Sequence, residues 1–280
     1  MKKHLDIHRD IWGPYMTLIT NLWAESVFKS VDNLRRRSIY INNTEGLFPQ
    51  LDSQPQNQEK LTKDGIFFRQ LHNTPEDQKK VTYFSLCAEE YELVTERFKS
   101  YFLDRAFEII QLQTDQNYYI LDAACGPGYE LEKLQALVPN GEVIGIDLSG
   151  DMIKRANRNA RIKKLPNVGF YQADLNRLPA EFTDHFDLIF CNISLHYFET
   201  VENVFHQFYK ALRNNGKLIF IEPLGSITQK LSKAVLKEAI PHFKRFYSKK
   251  EQNQFLGQAG FTFLYWEEIQ KNIGLTIAIK

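Results

Sequence analysis

The N-terminal part of the chain has apolar residues at the three- and four-residue spacing of amphipathic helices. The pattern covers Ile11 to Ile41 and returns from about Pro75 to Leu112, where the apolar face is rich in aromatic residues. Between these stretches, Asn42 to Lys63 holds two prolines and a glutamine-rich patch without either period, which predicts a flexible loop. We therefore expect residues 1–117 to form a helical N-terminal extension.

From Tyr118 onward, short apolar runs alternate with helical segments, as in βαβ units with a parallel sheet between two layers of helices. Five strands are predicted, at Tyr118–Ala124, Glu142–Leu148, Val168–Asp174, Phe186–Ile193 and Lys217–Glu222. Two later runs, Phe261–Ile269 and Asn272–Ile279, have so short a connection that we expect an antiparallel pair. The pattern over residues 118–280 thus predicts a second unit, with a parallel sheet that ends in an antiparallel hairpin.

Polar residues mark where several of the predicted helices begin and end. Ser149 is a good N-cap, and Asp151 in the first turn complements the helix dipole. Ser248 and Glu251 have the spacing of a capping box. A further helical pattern over 227–240 ends at a proline.

Composition narrows the class of protein. Hydrophobic residues make up 43% and charged residues 25% of the 280-residue chain, the balance of a globular protein with a sizeable core. Lysine plus arginine (35) nearly cancels aspartate plus glutamate (34), so no global field favours nucleic acid or an anionic membrane. The three cysteines lack metal-site spacing, and no run has the ~18 apolar residues of a membrane helix. We expect a cytoplasmic protein without a metal site.

The most informative stretch is a predicted strand that runs directly into a glycine-containing turn and then a helix. It reads Leu-Asp-Ala-Ala-Cys-Gly-Pro-Gly over residues 121–128. Gly126 and Gly128 lack a β-carbon, so the backbone can turn tightly and approach a ligand, while the following helix offers free N–H groups. Taken alone, Gly-x-Gly also fits a merely tight strand-to-helix turn.

Three further polar residues follow neighbouring predicted strands, at the edge where α/β sheets bind ligands. Asp147 ends the second strand about 20 residues after the glycines, where a carboxylate accepts hydrogen bonds from ribose hydroxyls. Asp174 follows the third strand and could accept from an adenine amine, although a lone aspartate there is also a common helix cap. Asn192 ends the fourth strand. Together these elements predict one crevice for an adenosine-containing ligand.

In the order of these elements the sequence resembles the class I S-adenosylmethionine (SAM)-dependent methyltransferases, particularly their small-molecule branch. Over roughly residues 118–280 the turn sequence is followed by Gly-Ile-Asp-Leu-Ser, Ala-Asp-Leu, Phe-Asp-Leu-Ile-Phe-Cys-Asn and Gly-Lys-Leu-Ile-Phe-Ile-Glu-Pro. The resemblance implies a Rossmann-like α/β fold whose seven-stranded, mostly parallel sheet has one antiparallel strand and helices on both faces. It also implies SAM as cofactor and S-adenosylhomocysteine (SAH) as product.

The resemblance assigns roles to individual residues as well. The methionine part of SAM would be held by Asp122, Ala124, Cys125, Gly126, Gly128 and Asn192. The adenosine part would be held by Asp147, Leu148, Met152, Asp174 and Leu175. Ala124 departs from the family, which more often has glycine at this place.

Methyl transfer from a sulfonium mainly requires that the acceptor be aligned in line with the S–CH₃ bond and that water be excluded. For a hydroxyl acceptor a base is also useful, and His196, just past the fourth strand, is the candidate catalytic residue. A histidine in this loop is also commonly a packing residue. We expect the N-terminal extension to form an aromatic-rich lid over a small or medium-sized organic acceptor, methylated on O, N or C by a monomer or homodimer.

Other functions stay open at this point. A DNA amino-methyltransferase is disfavoured because residues 191–194 read Cys-Asn-Ile-Ser instead of Asn-Pro-Pro-Tyr, and a protein acceptor is a further alternative. A dinucleotide-dependent dehydrogenase is disfavoured because the third glycine of Gly-x-Gly-x-x-Gly is absent. A non-catalytic SAM-binding partner protein would carry the same carboxylates.

Overall fold

The computed structural model describes one α/β unit and short parts of the chain before it. The described residues are 66–68, 75, 78–85, 103–110, 117–225, 242–270 and 272–280. The helices predicted over 11–41 and 227–240 and the loop predicted over 42–63 lie outside them.

Eight strands form a single sheet in the order β1-β4-β3-β2-β5-β6-β8-β7. They are β1 (Ile66–Phe68), β2 (Tyr119–Ala123), β3 (Glu142–Asp147), β4 (Val168–Gln172), β5 (Phe186–Asn192), β6 (Leu212–Pro223), β7 (Thr262–Gln270) and β8 (Ile273–Ile279). Strand β8 pairs in the antiparallel sense with both β6 and β7, and the other neighbours are parallel. The predicted Rossmann-like sheet of seven strands, with its antiparallel final pair, is confirmed.

One strand, β1, lies within residues 1–117, for which we expect a helical extension with a flexible loop near 42–63. Strand β1 adds to the edge of the sheet through parallel pairing with β4, where Ile66 lies opposite Phe170 and Phe68 opposite Gln172. Three residues are too few to produce a readable two-residue period, so the sequence pattern could not reveal this strand. Residues 78–85 and 103–110 are helical, as predicted for that part of the extension.

Between β2 and β7, the described residues form four α-helices: α1 (Leu131–Leu137), α2 (Gly150–Ile162), α3 (Glu202–Ala211) and α4 (Lys249–Ala259). The predicted caps are confirmed. The Ser149 side chain accepts a hydrogen bond from Met152 N at the start of α2, and Ser248 and Glu251 form a reciprocal capping box on α4. None of the helices in the described ranges has the length and hydrophobicity needed to cross a membrane.

Each face of the sheet has its own hydrophobic core, because side chains alternate along every strand. In β2, Tyr119 and Leu121 belong to the cluster that packs against α3 and α4. Ile120 belongs to the other cluster, which contains residues of α1, α2 and the 103–110 segment. The 103–110 segment is thus part of the folded core through Leu103 and Ala106, which are 1% and 0% exposed.

The connection from α1 to β3 generates a stability prediction. A Cβ added to Gly141 would lie 2.0 Å from the backbone oxygen of Tyr118, and backbone cannot move aside as a flexible side chain can. We expect Gly141→Ala to lower the free energy of unfolding by about 1–3 kcal/mol, measured by urea denaturation. The control is Gly257→Ala within α4, where an added Cβ meets nothing within 4 Å. We expect this variant to raise the free energy of unfolding by at most about 1 kcal/mol. A Gly141→Ala variant as stable as the parent would contradict this packing.

Candidate functional site

A cleft opens at the carboxyl ends of the central parallel strands. It encloses about 820 Å³ of empty space, counted to its open mouth. Most residues of the predicted cofactor set line this cleft: Ala124, Gly126, Asp147, Leu148, Met152, Asp174 and Leu175. The structure therefore brings together side chains from the ends of three neighbouring strands, as the spacing predicts.

Four residues of the predicted set do not line the cleft. Contact with a cofactor stays a prediction for the whole set. Asp122 and Asn192 are each 2% exposed. Cys125 is part of the core between the sheet and α1 and α2. Gly128 serves the packing of the turn, since an added Cβ would lie 2.6 Å from Leu131 Cδ1.

The turn after β2 depends on backbone conformations that favour glycine. Gly126 and Gly128 have φ angles of 54° and 82°, and Ala124 has a φ angle of 59°. The left-handed region costs a residue with a Cβ about 1–2 kcal/mol, so Ala124 keeps the turn conformation at an energetic cost. The substitution of alanine for the family's glycine thus leaves the left-handed backbone of this turn intact.

The carboxylate of Asp147 joins two turns. Its Oδ2 accepts a hydrogen bond from Gly126 N at 3.0 Å, and its Oδ1 accepts one from Ser149 N at 2.8 Å. A carboxylate that lines the cleft is an acceptor for N–H or O–H groups of a ligand.

Asp174 is not a helix cap, which was the alternative interpretation of this residue. Its Oδ1 accepts hydrogen bonds from the backbone N of Asn176 at 2.9 Å and from the Asn176 side chain at 3.2 Å, and the residues that follow form a turn. Asn176, which the sequence analysis did not single out, lines the cleft beside it.

A second left-handed position lies at the end of β5. Ile193 has a φ angle of 52°, a rare conformation for a β-branched residue, and it lines the cleft. Glu222 of β6 holds the following residues, because its Oε1 accepts from the backbone N of Ser194 at 2.5 Å and of Leu195 at 2.7 Å. No local motif announces this role of Glu222, since its partners lie 27 and 28 residues away.

The structure places His196 away from the cleft wall. The residue is 2% exposed, its Nδ1 lies 3.2 Å from Glu222 Oε2, and its ring packs against Tyr197, Phe243 and Phe246. Its neighbour Tyr197 lines the cleft. His196 is thus not among the residues that line the cleft, and its surroundings fit the alternative interpretation, a packing residue in the loop.

The sequence analysis also missed a buried polar pair below the glycine turn. Asn192 Nδ2 donates to Glu130 Oε1 at 3.0 Å, and Glu130 is only 1% exposed. Within the described part of the chain, Glu130 Oε2 and Asn192 Oδ1 have no hydrogen-bond partner. This hydrogen bond fixes the orientation of the amide, because a flipped Asn192 would place its Oδ1 against Glu130 Oε1, and both atoms are acceptors. Two buried acceptors are left that need donors.

The 78–85 segment lies over the mouth of the cleft. Lys80 and Phe84 line it, and the Phe84 ring meets Tyr197 edge-on at 5.3 Å. Next to Phe84, the Oγ atoms of Ser85 and Ser149 lie 3.2 Å apart. A hydrogen bond from Lys154, and then one from Ser85, lowers the pKa of Asp151 at the start of α2. Side-chain contacts thus connect this segment to both edges of the cleft.

Comparison with known proteins decides the family. A family model described as a methyltransferase domain matches residues 114–272, more than half of the chain and the whole of the cleft apart from the 78–85 segment. This chain belongs to the class I SAM-dependent methyltransferases. The family uses SAM, so the predicted cofactor is confirmed at the level of the family.

Individual relatives match about half of this chain, and their names differ in what they act on. The malonyl-[acyl-carrier protein] O-methyltransferase of Legionella pneumophila is 33% identical over 138 residues, which are 49% of this chain and 47% of that protein. The demethylmenaquinone methyltransferase of Chlorobaculum tepidum is 29% identical over 143 residues, 50% of this chain and 56% of that protein. The chain thus spans about half the length of these curated relatives.

A solved structure supports the same fold. The geranyl diphosphate C-methyltransferase of Streptomyces coelicolor, crystallised with SAH, superposes with a TM-score of 0.61 at 14% identity and covers 74% of this chain and 98% of that one. At this identity the likeness concerns the fold alone.

Proposed function

We propose that this methyltransferase transfers the methyl group of SAM to a small or medium-sized organic acceptor. The observation that carries the proposal is that one cleft collects Asp147, Asp174 and the left-handed turn at Ala124–Gly126 at the carboxyl ends of adjacent strands. Backbone in rare conformations persists where function needs it, and here such positions line the cleft.

The adenosine part of SAM occupies the acidic side of the cleft in this proposal. Asp147, which lines the cleft, accepts hydrogen bonds from the ribose hydroxyls. Asp174 accepts from the adenine amine. Leu148, Met152 and Leu175 supply apolar contacts to the two faces of the base.

The buried pair of Glu130 and Asn192 holds the amino end of the methionine part. A carboxylate oxygen and an amide oxygen that both need donors match an ammonium group, which offers three N–H donors and a positive charge. Burial strengthens this match, since an unpaired buried carboxylate is costly. We infer that Glu130 accepts a hydrogen bond from the α-ammonium of SAM.

The acceptor binds on the aromatic side of the cleft, where Phe84, Tyr197 and Phe198 lie. The 78–85 segment acts there as a lid that excludes water, so that the acceptor meets the methyl group in line with the S–CH₃ bond. A ring that faces the sulfonium adds cation–π attraction. His196 holds the loop after β5 through Glu222, and we assign it no proton transfer.

Two variants separate the halves of the cofactor site. Asp147→Ala removes the ribose contact. We expect it to lower the affinity for both SAH and 5′-methylthioadenosine, which lacks the amino acid part, by roughly ten- to a hundredfold. Glu130→Gln should weaken SAH by about tenfold or more and change the affinity for 5′-methylthioadenosine by less than about twofold. Calorimetric titration measures both ligands.

The control for these titrations is Asp184→Ala. Asp184 lies in the turn before β5 and its side chain is 64% exposed, so we expect this variant to leave the affinities for both ligands unchanged. If Glu130→Gln lowered the affinities for SAH and 5′-methylthioadenosine equally, the contact between Glu130 and the ammonium group would be contradicted.

The size of the acceptor is tested by following which fraction of a cell extract receives a labelled methyl group. The purified chain is incubated with methyl-labelled SAM and a fresh cell extract, and the products are separated by ultrafiltration into macromolecules and small molecules. We expect label in the small-molecule fraction, dependent on Asp147 and independent of Asp184. Label in protein or nucleic acid alone would favour a macromolecular acceptor and overturn the proposal.

A further inference from the structure

Lys80 brings a positive charge to the acceptor side of the cleft. Its side chain is half-buried and lines the cleft, and its Nζ donates a hydrogen bond to the backbone oxygen of Tyr197 at 3.1 Å. The Nζ atom also lies 5.8 Å from the centre of the Phe198 ring. No carboxylate of the described residues pairs with it. One carbonyl contact leaves two N–H donors and the full charge of the ammonium for another partner.

Charge is divided across the cleft. The acidic lining residues, Asp147 and Asp174, belong to the adenosine side, and Lys80 is the one lysine or arginine among the lining residues of this cleft. A cation that becomes enclosed when a ligand fills the cleft is costly unless it gains an anionic partner. The adenosine side cannot supply one, because both aspartates are engaged there.

The position of the 78–85 segment places Lys80 away from the ribose. Ser85 contacts Ser149, next to Asp147, whereas Lys80 contacts Tyr197 in the loop after β5. Five residues of helix separate these two points by about 7.5 Å along the segment. Since β3 and β5 flank β2 on opposite sides, Lys80 lies toward the end of the cleft where the proposed acceptor binds.

We propose that the methyl acceptor carries an anionic oxygen group, a carboxylate or a phosphate ester, that Lys80 binds. The rest of the acceptor is apolar and packs against Phe84, Tyr197 and Phe198. Lysine is a compact point charge that does not impose the paired geometry of arginine, so the two anionic groups share this recognition chemistry. The inference rests on the proposed function, because it concerns the substrate of the same cleft.

The experiment compares charged and neutral ligands of similar shape. The SAH-loaded protein is titrated by calorimetry with 3-phenylpropanoate, 2-phenylethyl phosphate and the neutral 3-phenylpropanamide. We expect at least one of the two anions to bind at least about tenfold more tightly than the amide, and the stronger anion identifies which group the site prefers.

Variants at one helix position test whether Lys80 causes the preference. Lys80→Met keeps the length of the side chain and removes the charge, so the ratio of anion to amide affinity should fall to about one. Lys80→Arg should retain the preference, and Lys79→Met, at the exposed neighbouring position, should leave it unchanged. A purely structural role of Lys80 would weaken anion and amide alike and keep their ratio.

Three outcomes overturn the inference. They are equal binding of anions and amide by the parent protein, a preference that survives in Lys80→Met, and no binding of either anion to the SAH-loaded protein. If SAH itself does not bind, the proposed function fails and this inference with it. If SAH binds and the anion preference is absent, the inference fails alone.

Discussion

The carboxylate of Asp147 is the interaction on which the arrangement of the cleft depends. It accepts the backbone hydrogen of Gly126 on one side and that of Ser149 on the other, and so fixes the turn after β2 against the turn after β3. Ser149 in turn caps α2 and contacts Ser85. One charged group thus sets the backbone of the glycine turn, the start of a helix and the position of the segment above the cleft.

Several groups at the site are held in states that are costly without a ligand. Ala124 and Ile193 occupy the left-handed region, at about 1–2 kcal/mol each, and Glu130 and Asn192 each keep a buried acceptor atom without a partner among the described residues. The surrounding sheet stabilises these states through long-range contacts such as that of Glu222 with Ser194. In our account the bound cofactor satisfies the buried acceptors, so part of the binding free energy comes from groups prepared in advance.

The sequence alone predicted the features that arise from local pattern. The alternation of strands and helices, the caps at Ser149 and Ser248 and the carboxylates at strand ends all depend on short spacing, which can be read directly. Strand β1 was missed because three residues carry no period. The hydrogen bonds of Glu130 and Glu222 could not be predicted, because their partners lie 62 and 28 residues away. The burial of His196 could not be predicted either, because a position at a strand end does not reveal the direction of a side chain.

Calorimetric titration of the purified chain with SAM, SAH and NAD tests the central claim most directly. The account predicts saturable, micromolar binding of SAM and SAH and no binding of NAD, since the turn at 126–128 lacks the third glycine of a dinucleotide site. Binding of NAD alone would contradict the assignment of Asp147 and the turn to an adenosylmethionine site. Binding of none of the three would contradict the view that the cleft is prepared for its cofactor before an acceptor arrives.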